Sequence, residues 1–242
     1  DDTGAISEYF HNEKMPFTEE TMIKCLKMKR NKYEIYWAVL ALRMLGTQKA
    51  IQYLKEANIN DITIVTGYLS DKFQYLKDKY ECKLIYNNKY KDYNNIYSFY
   101  VAKDDFKNTF IIDSDVVLFK NIFIKKPNKS SYFVINRPKS DDKEWVPVLD
   151  NDKIKEIIIT NDYLPSLLGI SYWIENDSNK IKKHLNEYIS NEKLENSKLY
   201  WDNIPMDIIK EMNVTTIKLS LDDAYEMDNL EHYNFILNKI KD

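Results

Sequence analysis

Short apolar segments alternate with helical periodicities through the first half of the 242-residue chain, and few folds are compatible with that order. The predicted strands are residues 35–41, 62–66, 83–86 and 109–112. Between two of these strands, Phe73, Leu76 and Tyr80 have the i, i+3 and i+7 spacing of one apolar helix face. The alternation predicts an α/β fold in which helices flank a mostly parallel sheet.

The second half of the chain combines further strands with fewer helices. We expect a small antiparallel extension or lid from the strands predicted at residues 132–136, 145–149, 154–160 and 168–173. Helical periodicity returns at residues 181–189, 204–212 and 230–240, and we expect the last helix to pack against the first half. We assign residues 34–242 to the main domain and residues 1–33 to an N-terminal helical appendage or the tail of a truncated upstream domain.

The composition is that of a globular protein with a small ligand. Hydrophobic residues make up 44% and charged residues 30%, and a formal net charge of −3 offers no basic field to nucleic acid. The longest apolar stretch, residues 35–45, contains Arg43 and is too short for a membrane span. Cys25 and Cys82 are isolated, which indicates reduced thiols and a cytoplasmic protein.

Two carboxylates follow the strand predicted at residues 109–112, with Asp113 and Asp115 separated by one residue. Strand alternation would send both side chains to one side of the backbone, at the sheet edge where α/β proteins bind ligands. Closely spaced carboxylates suit Mg²⁺ that accompanies nucleotide phosphates. Aspartate after a strand is also common in turns and helix caps, so this motif alone leaves both interpretations open.

A second acidic group follows the predicted strand at residues 215–221. It consists of Asp222, Asp223, Glu226 and Asp228. If this strand lies beside the one that carries Asp115, then Asp228 completes the metal site. The alternative is a solvated acidic loop.

Aromatic residues concentrate in the second half of the chain, where a quaternary ammonium group could be bound by their ring faces. They are Trp145, Tyr172, Trp173, Tyr200 and Trp201. Asp202 follows directly and could balance the positive charge. The alternative is core packing, which we favour for Trp173 because it ends an apolar strand.

Several enzyme classes are excluded by what the sequence lacks. The glycines are Gly4, Gly46, Gly67 and Gly169, so neither a GxGxxG fingerprint nor a P-loop is present. The three histidines are far apart and have no nucleophile motif beside them, which gives no support to a hydrolase triad.

A series of segments, in order, resembles the bacterial CTP:phosphocholine cytidylyltransferases. They are residues 50–56, 59–62, 65–69, 93–98, 113–115, Trp145, 168–173, 200–203 and 225–228. The resemblance covers roughly residues 35–242. It implies a Rossmann-like nucleotidyltransferase fold, Mg²⁺ as cofactor, and transfer of CMP from CTP to phosphocholine to give CDP-choline and pyrophosphate.

The resemblance also implies roles for individual residues. Asp115 and Asp228 would bind the metal and, with Arg43, form the catalytic set. The nucleotide site would comprise Ala41, Gly67, Tyr68, Asn94, Asn95, Ser98 and Asp113. The phosphocholine site would comprise Trp145, Tyr200, Trp201, Asp202 and Glu226.

The chain departs from this family after the predicted first strand. Members carry a glycine-rich A-A-G-x-G-x-R loop and a Pro-Lys segment that bind the triphosphate, whereas residues 38–49 read AVLALRMLGTQK. We interpret this as a sequence that lacks mobile segments at Ala41/Leu42, Met44/Leu45 and Gln48/Lys49. Arg43 would then be the arginine of the loop.

Three alternatives to a phosphocholine cytidylyltransferase remain open from the sequence. The same site could accept 2-aminoethylphosphonate, and several aromatic residues around one pocket favour the quaternary amine. A D-x-D strand end also occurs in sugar-nucleotide glycosyltransferases. A non-catalytic nucleotide-binding domain is favoured if the phosphate loop is truly absent.

Overall fold

The computed structural model describes residues 32–241 of the chain, so almost all of the 1–33 segment lies outside the described residues. The helices are α1 (Lys32–Glu56), α2 (Tyr75–Tyr80), α3 (Asn95–Ala102), α4 (Glu175–Leu185), α5 (Asn191–Leu194), α6 (Asn203–Asp207) and α7 (Leu230–Lys241). The strands are β1 (Thr63–Thr66), β2 (Lys83–Tyr86), β3 (Thr109–Ile112), β4 (Val116–Leu118), β5 (Ser131–Ile135), β6 (Glu144–Asp150), β7 (Lys153–Thr160), β8 (Ser166–Trp173), β9 (Thr215–Leu219) and β10 (Ala224–Glu226).

The strands pair in both directions within an α/β fold. The central sheet has the order β3-β8-β5-β9, and β1–β2, β4–β10 and β6–β7 form separate pairs. Only β1–β2 and β5–β9 among these described pairs are parallel. The α/β class is thus confirmed, with mixed pairing where the sequence predicted a mostly parallel sheet.

The antiparallel extension is smaller than expected. It consists of the β6–β7 hairpin, whereas β5 and β8 lie at the centre of the main sheet. All five residues of β5 are buried, which is typical of a strand covered on both faces. Continuous burial of this kind gives no polar alternation, so the sequence did not separate these central strands from the hairpin.

The prediction of a strand at residues 35–41 is wrong, because these residues belong to the long helix α1. Residues 35–45 contain neither proline nor glycine, and an apolar run without such breaks fits a buried helix as well as a strand. The helix is continuous through the three junctions proposed above, and the interpretation of missing segments stays a prediction. In this chain, a helix occupies the positions expected for the phosphate loop.

Helix α1 packs against β4. Leu42 and Met44 are buried, at 0% and 1% exposure, in the apolar cluster that also contains the residues of β4. Gly46 lies so close to this strand that a Cβ placed on it would be 3.4 Å from Val117 Cγ2. The close approach explains a glycine inside a helix, where it normally costs about 1 kcal/mol relative to alanine.

Two apolar clusters lie on opposite faces of the central sheet. Along β5, Phe133 and Ile135 belong to the cluster with α1, β4 and α7, and Tyr132 belongs to the cluster with α3, α4 and α6. On β8, Tyr172 belongs to the first cluster and Trp173 to the second, because successive side chains of a strand point to opposite faces of the sheet. Across the described residues, none of the helices is long and apolar enough to span a membrane.

We predict that Leu42→Ala lowers the free energy of unfolding by about 2–5 kcal/mol, because it leaves a cavity between α1 and β4. Leu45→Ala, on the same helix at a half-buried position, serves as the control and should cost less. Urea unfolding followed by circular dichroism measures both values. Equal losses in the two variants would contradict the packing of α1 on β4.

Candidate active site

The pairing of β4 with β10 brings the two distant acidic segments together. These strands are antiparallel, with Glu226 opposite Val116, and the Met227 N–H donates to the Asp115 carbonyl at 3.0 Å. Asp115 precedes β4 and Asp228 follows β10, so both lie at the same end of the pair. The condition set above for Asp228, that the strand predicted at residues 215–221 lies beside the one that carries Asp115, is not met, because this strand, β9, pairs with β5.

The D-x-D motif forms a turn between β3 and β4. The Val116 N–H donates to the Asp113 carbonyl at 3.2 Å, and the Asp113 N–H donates to the Gly169 carbonyl at 2.8 Å. Gly169 has φ +72°, and a Cβ there would lie 3.2 Å from Asp113 Oδ2. A glycine is therefore required opposite the Asp113 carboxylate.

Asp115, Glu226 and Asp228 form a carboxylate cluster that fits a divalent cation. One oxygen from each lies within 4.8 Å of the others. Opposite ligands of Mg²⁺ are about 4.2 Å apart, so a small inward movement would complete coordination. Asp115 Oδ1 is buried and has no hydrogen-bond partner, as expected of an oxygen whose ligand is a cation rather than a hydrogen-bond donor.

The cluster contains more negative charge than its neighbours balance. Burial raises the pKa of Glu226 to about 7 although Arg137 opposes the shift. Burial also raises the pKa of Asp115, and Arg43 of α1 opposes it with a guanidinium nitrogen 3.9 Å from Asp115 Oδ2. Glu226, which the resemblance implied for the phosphocholine site, thus lies with Asp115 and Asp228 in the carboxylate cluster. A bound cation would lower all these pKa values.

Arg137 is a site residue that the sequence analysis missed. It follows β5, is 7% exposed, and bonds to the Leu167 carbonyl and Ser166 Oγ of β8. It also forms ion pairs with Glu144 of β6, at 3.1 Å, and with Glu226 of β10. Its Nη1 is buried and has no hydrogen-bond partner. A single arginine after an apolar strand gives no sequence pattern, so only the fold identifies it.

An aromatic cage lies in the same cavity as the carboxylate cluster. Trp145 of β6 and Tyr200 meet edge to face, with ring centroids 5.7 Å apart, and Trp201 lines the same cavity. Trp201 is mostly core, since it is 4% exposed and stacks on Phe99 at 5.1 Å. Trp173 is fully buried, as the core-packing interpretation predicted.

Asp202 provides the negative charge of the cage. It lies in the wall of the cavity, and Tyr132 donates a hydrogen bond to its Oδ1 at 2.8 Å. Burial raises the pKa of the Asp202 carboxyl to about 7, and the Tyr132 hydroxyl opposes this shift. A cationic ligand in the cage would favour the ionised form.

Of the residues implied for nucleotide binding, Asn94, Asn95 and Asp113 line this cavity. Asn94 caps α3 and donates to the Ser197 carbonyl at 2.7 Å, and Asn95 Oδ1 accepts from the Trp201 N–H at 3.0 Å. The other four lie elsewhere. Ala41 is buried in α1, Gly67 packs against Tyr90, Tyr68 is half-exposed, and Ser98 Oγ accepts from Asn87 Nδ2.

The cavity has a volume of about 490 Å³ and is strongly acidic. Six acidic residues line it, and Arg137 is the basic residue among them; the acids are Asp113, Asp115, Glu144, Asp202, Glu226 and Asp228. Such a cavity favours cations, and it offers oxygen ligands at one part and ring faces at another. A carboxylate cluster at strand ends of an α/β fold is compatible with a nucleotidyltransferase.

Comparisons with known proteins identify the family, although no protein-family model matches the chain. It is 49% identical over 194 residues to choline-phosphate cytidylyltransferase of Haemophilus influenzae, covering 80% of this chain and 83% of that protein. It is 40% identical over 185 residues to the enzyme of the same name from Streptococcus pneumoniae, covering 76% and 79%. The structure of CTP:phosphocholine cytidylyltransferase from Streptococcus pneumoniae has a TM-score of 0.75 at 36% identity, covering 80% and 84%. The chain belongs to the choline-phosphate cytidylyltransferase family.

We predict that Asp115→Asn and Asp228→Asn each weaken Mg²⁺ binding by more than about tenfold, because each removes one anionic ligand. Calorimetric titration of Mg²⁺ into the protein measures the change. Asp222→Asn is the matched control, since Asp222 belongs to the same acidic segment but pairs with Lys239 at the surface. Wild-type affinity in both site variants would contradict the metal assignment.

Proposed function

We propose that the chain is a Mg²⁺-dependent cytidylyltransferase that transfers CMP from CTP to phosphocholine and releases pyrophosphate. The observation that carries this proposal is that one cavity contains both a cluster of carboxylates and an aromatic cage with its own carboxylate. The first suits a metal-bound triphosphate and the second a quaternary ammonium group. We also propose a cytoplasmic location, where CTP is available.

The cage would bind the trimethylammonium group of phosphocholine. Trp145 and Tyr200 offer ring surface, each ring contact contributing about 0.5–2 kcal/mol to a desolvated cation, and Trp201 offers only the small part of its ring that lines the cavity. Asp202 supplies the counter-charge from the cavity wall. These contacts would hold the amine end and leave the phosphate end directed along the cavity.

Arg137 would stabilise the phosphate of the acceptor. It provides a fixed positive charge in the wall of a cavity that is otherwise acidic, and its ion pairs with Glu144 and Glu226 hold it in place. Without this charge, the acidic wall would repel a phosphate monoester. The arrangement therefore supports an acceptor that is cationic at one end and anionic at the other.

The reaction requires positioning rather than a protein nucleophile. An oxygen of phosphocholine attacks the α-phosphorus of CTP, a new P–O bond forms, and the bond to pyrophosphate breaks. Asp115 and Asp228 would hold Mg²⁺, which neutralises charge on the transferring phosphoryl group and the leaving pyrophosphate. Arg43, next to Asp115, adds a cation on the α1 side.

The triphosphate would be bound differently from the way the glycine-rich loop implies. Amides inside a helix are already hydrogen-bonded, so those in the interior of α1 are not available to phosphate oxygens. Binding would then rely on Arg43 and the metal, whereas Asn94 and Asn95 would contact the nucleoside. We therefore expect weaker CTP binding than a backbone cradle would give.

The decisive test is pyrophosphate release from CTP and Mg²⁺ with phosphocholine or 2-aminoethylphosphonate as acceptor. We expect turnover with phosphocholine and a loss of at least about 100-fold in Asp115→Asn, because a metal site contributes several kcal/mol to phosphoryl transfer. Asp222→Asn is the control. Faster turnover with 2-aminoethylphosphonate would identify that compound, rather than phosphocholine, as the acceptor. CTP binding without pyrophosphate release would favour a non-catalytic nucleotide-binding domain.

A variant of the cage tests the amine site separately. Trp145→Ala should raise KM for phosphocholine about 3- to 30-fold, the equivalent of one ring contact, and leave KM for CTP within about twofold. Tyr163→Ala, which removes an exposed aromatic beyond the same hairpin, is the control. An equal rise in both KM values would indicate that Trp145 acts on the fold rather than on the amine.

A further inference from the structure

We propose that Tyr132 is a positioning residue that holds the Asp202 carboxylate in place for a cationic acceptor and so contributes to selection for the positive charge. The proposal rests on the proposed function, because it concerns the amine end of the same cavity. Tyr132 itself was not among the residues that the sequence analysis or the resemblance assigned to a site.

The packing around the Tyr132 ring fixes the position of its hydroxyl. Tyr132 lies on β5, is 3% exposed, and its ring meets Trp173 edge to face at 5.3 Å. Its hydroxyl reaches Asp202 Oδ1 at 2.8 Å. Because the ring is enclosed by the core, the hydroxyl cannot turn to another partner without repacking.

Asp202 depends on this single bond. Although it precedes α6, its side chain makes no capping hydrogen bond to that helix. No other described residue donates a hydrogen bond to the carboxylate, and none forms an ion pair with it within 4 Å. One oxygen is thus engaged by Tyr132, and the other is left for a ligand.

The surroundings of Asp202 favour its protonated form, so the hydrogen bond from Tyr132 matters for keeping it ionised. The titratable groups that face it are Tyr132 from β5 and Asp113 from the turn after β3. Burial raises the pKa of Asp202 to about 7, and burial together with the nearby Asp202 raises the pKa of Asp113 well above its usual range. The Tyr132 hydroxyl is the protein group that opposes protonation.

The direction of the pH effect follows from these contacts. A carboxylic acid loses its charge as the pH falls below its pKa, so cation binding weakens on acidification through about pH 7. Removing the hydroxyl raises the pKa further, which moves the midpoint of that loss to higher pH. At pH 9 the Asp202 carboxylate is ionised both with and without the Tyr132 hydroxyl, so the difference in cation affinity between the two proteins becomes smaller.

The first experiment measures phosphocholine affinity by calorimetry from pH 5.5 to 9 in the wild type, Tyr132→Phe and Tyr188→Phe. Tyr188 is the matched control, because its hydroxyl donates to Asp207 outside the cavity. We expect Tyr132→Phe to weaken phosphocholine binding about tenfold at pH 7, which is the size of one hydrogen bond to a charged group. We also expect it to raise the pH midpoint at which phosphocholine affinity is lost on acidification. Equal midpoints in the three proteins would overturn the proposal.

A second ligand separates the charge effect from a change of shape. 3,3-Dimethylbutyl phosphate has the same outline as phosphocholine but no positive charge. Tyr132→Phe should leave its affinity within about twofold, since a hydroxyl that acts through the Asp202 charge does not affect a neutral group. Equal loss for both ligands would mean that Tyr132 only shapes the core, and the proposal would fail.

A double-variant cycle tests whether Tyr132 acts through Asp202. Tyr132→Phe should have no further effect on phosphocholine affinity in an Asp202→Asn background, and additive losses would overturn the proposal. Absence of phosphocholine binding by the wild type at every pH would overturn the proposed function together with this inference. Normal wild-type binding with an unchanged Tyr132→Phe profile would overturn this inference alone.

Discussion

The antiparallel pairing of β4 with β10 is the constraint on which the active site depends. Main-chain bonds place Asp115 at the start of one strand beside the end of the other, although more than one hundred residues separate Asp115 from Asp228 in the chain. A slip of one residue in this register would turn one carboxylate away from the other. The side chains of the proposed metal site are thus fixed by backbone hydrogen bonds, and their own mutual repulsion is overcome by the fold.

The acidic cavity separates two kinds of cation by ligand chemistry. A small hard ion prefers the oxygen atoms of Asp115 and Asp228, whereas a large alkylammonium group gains from ring faces and needs less direct coordination. Arg137 stands between acidic groups from two strands, Glu144 of β6 and Glu226 of β10, and prevents the cavity from being uniformly negative. An acceptor that carries both signs of charge therefore fits better than a simple amine or a simple phosphate.

Local patterns predicted most strands, and the long-range arrangement of the site followed only in part. β2 and β3 match the predicted residues, because short runs bounded by polar residues are unambiguous. The meeting of Asp115 and Asp228 was expected, but through a different strand, since sequence does not reveal pairing partners. Arg137 and Tyr132 were not found, because a buried polar group is defined by what surrounds it. The prediction of a strand at residues 35–41 was wrong because an apolar run fits either a strand or a buried helix.

Neighbouring residues of β6 connect the hairpin to two different parts of the cavity. Glu144 pairs with Arg137 at the sheet, and Trp145 forms a wall of the cage. Outward movement of this wall would stretch that ion pair. Escape of a bound molecule past Trp145 would thus involve the bending of a two-stranded ribbon and the stretching of a largely buried ion pair, and neither requires Asp115 or Asp228 to move.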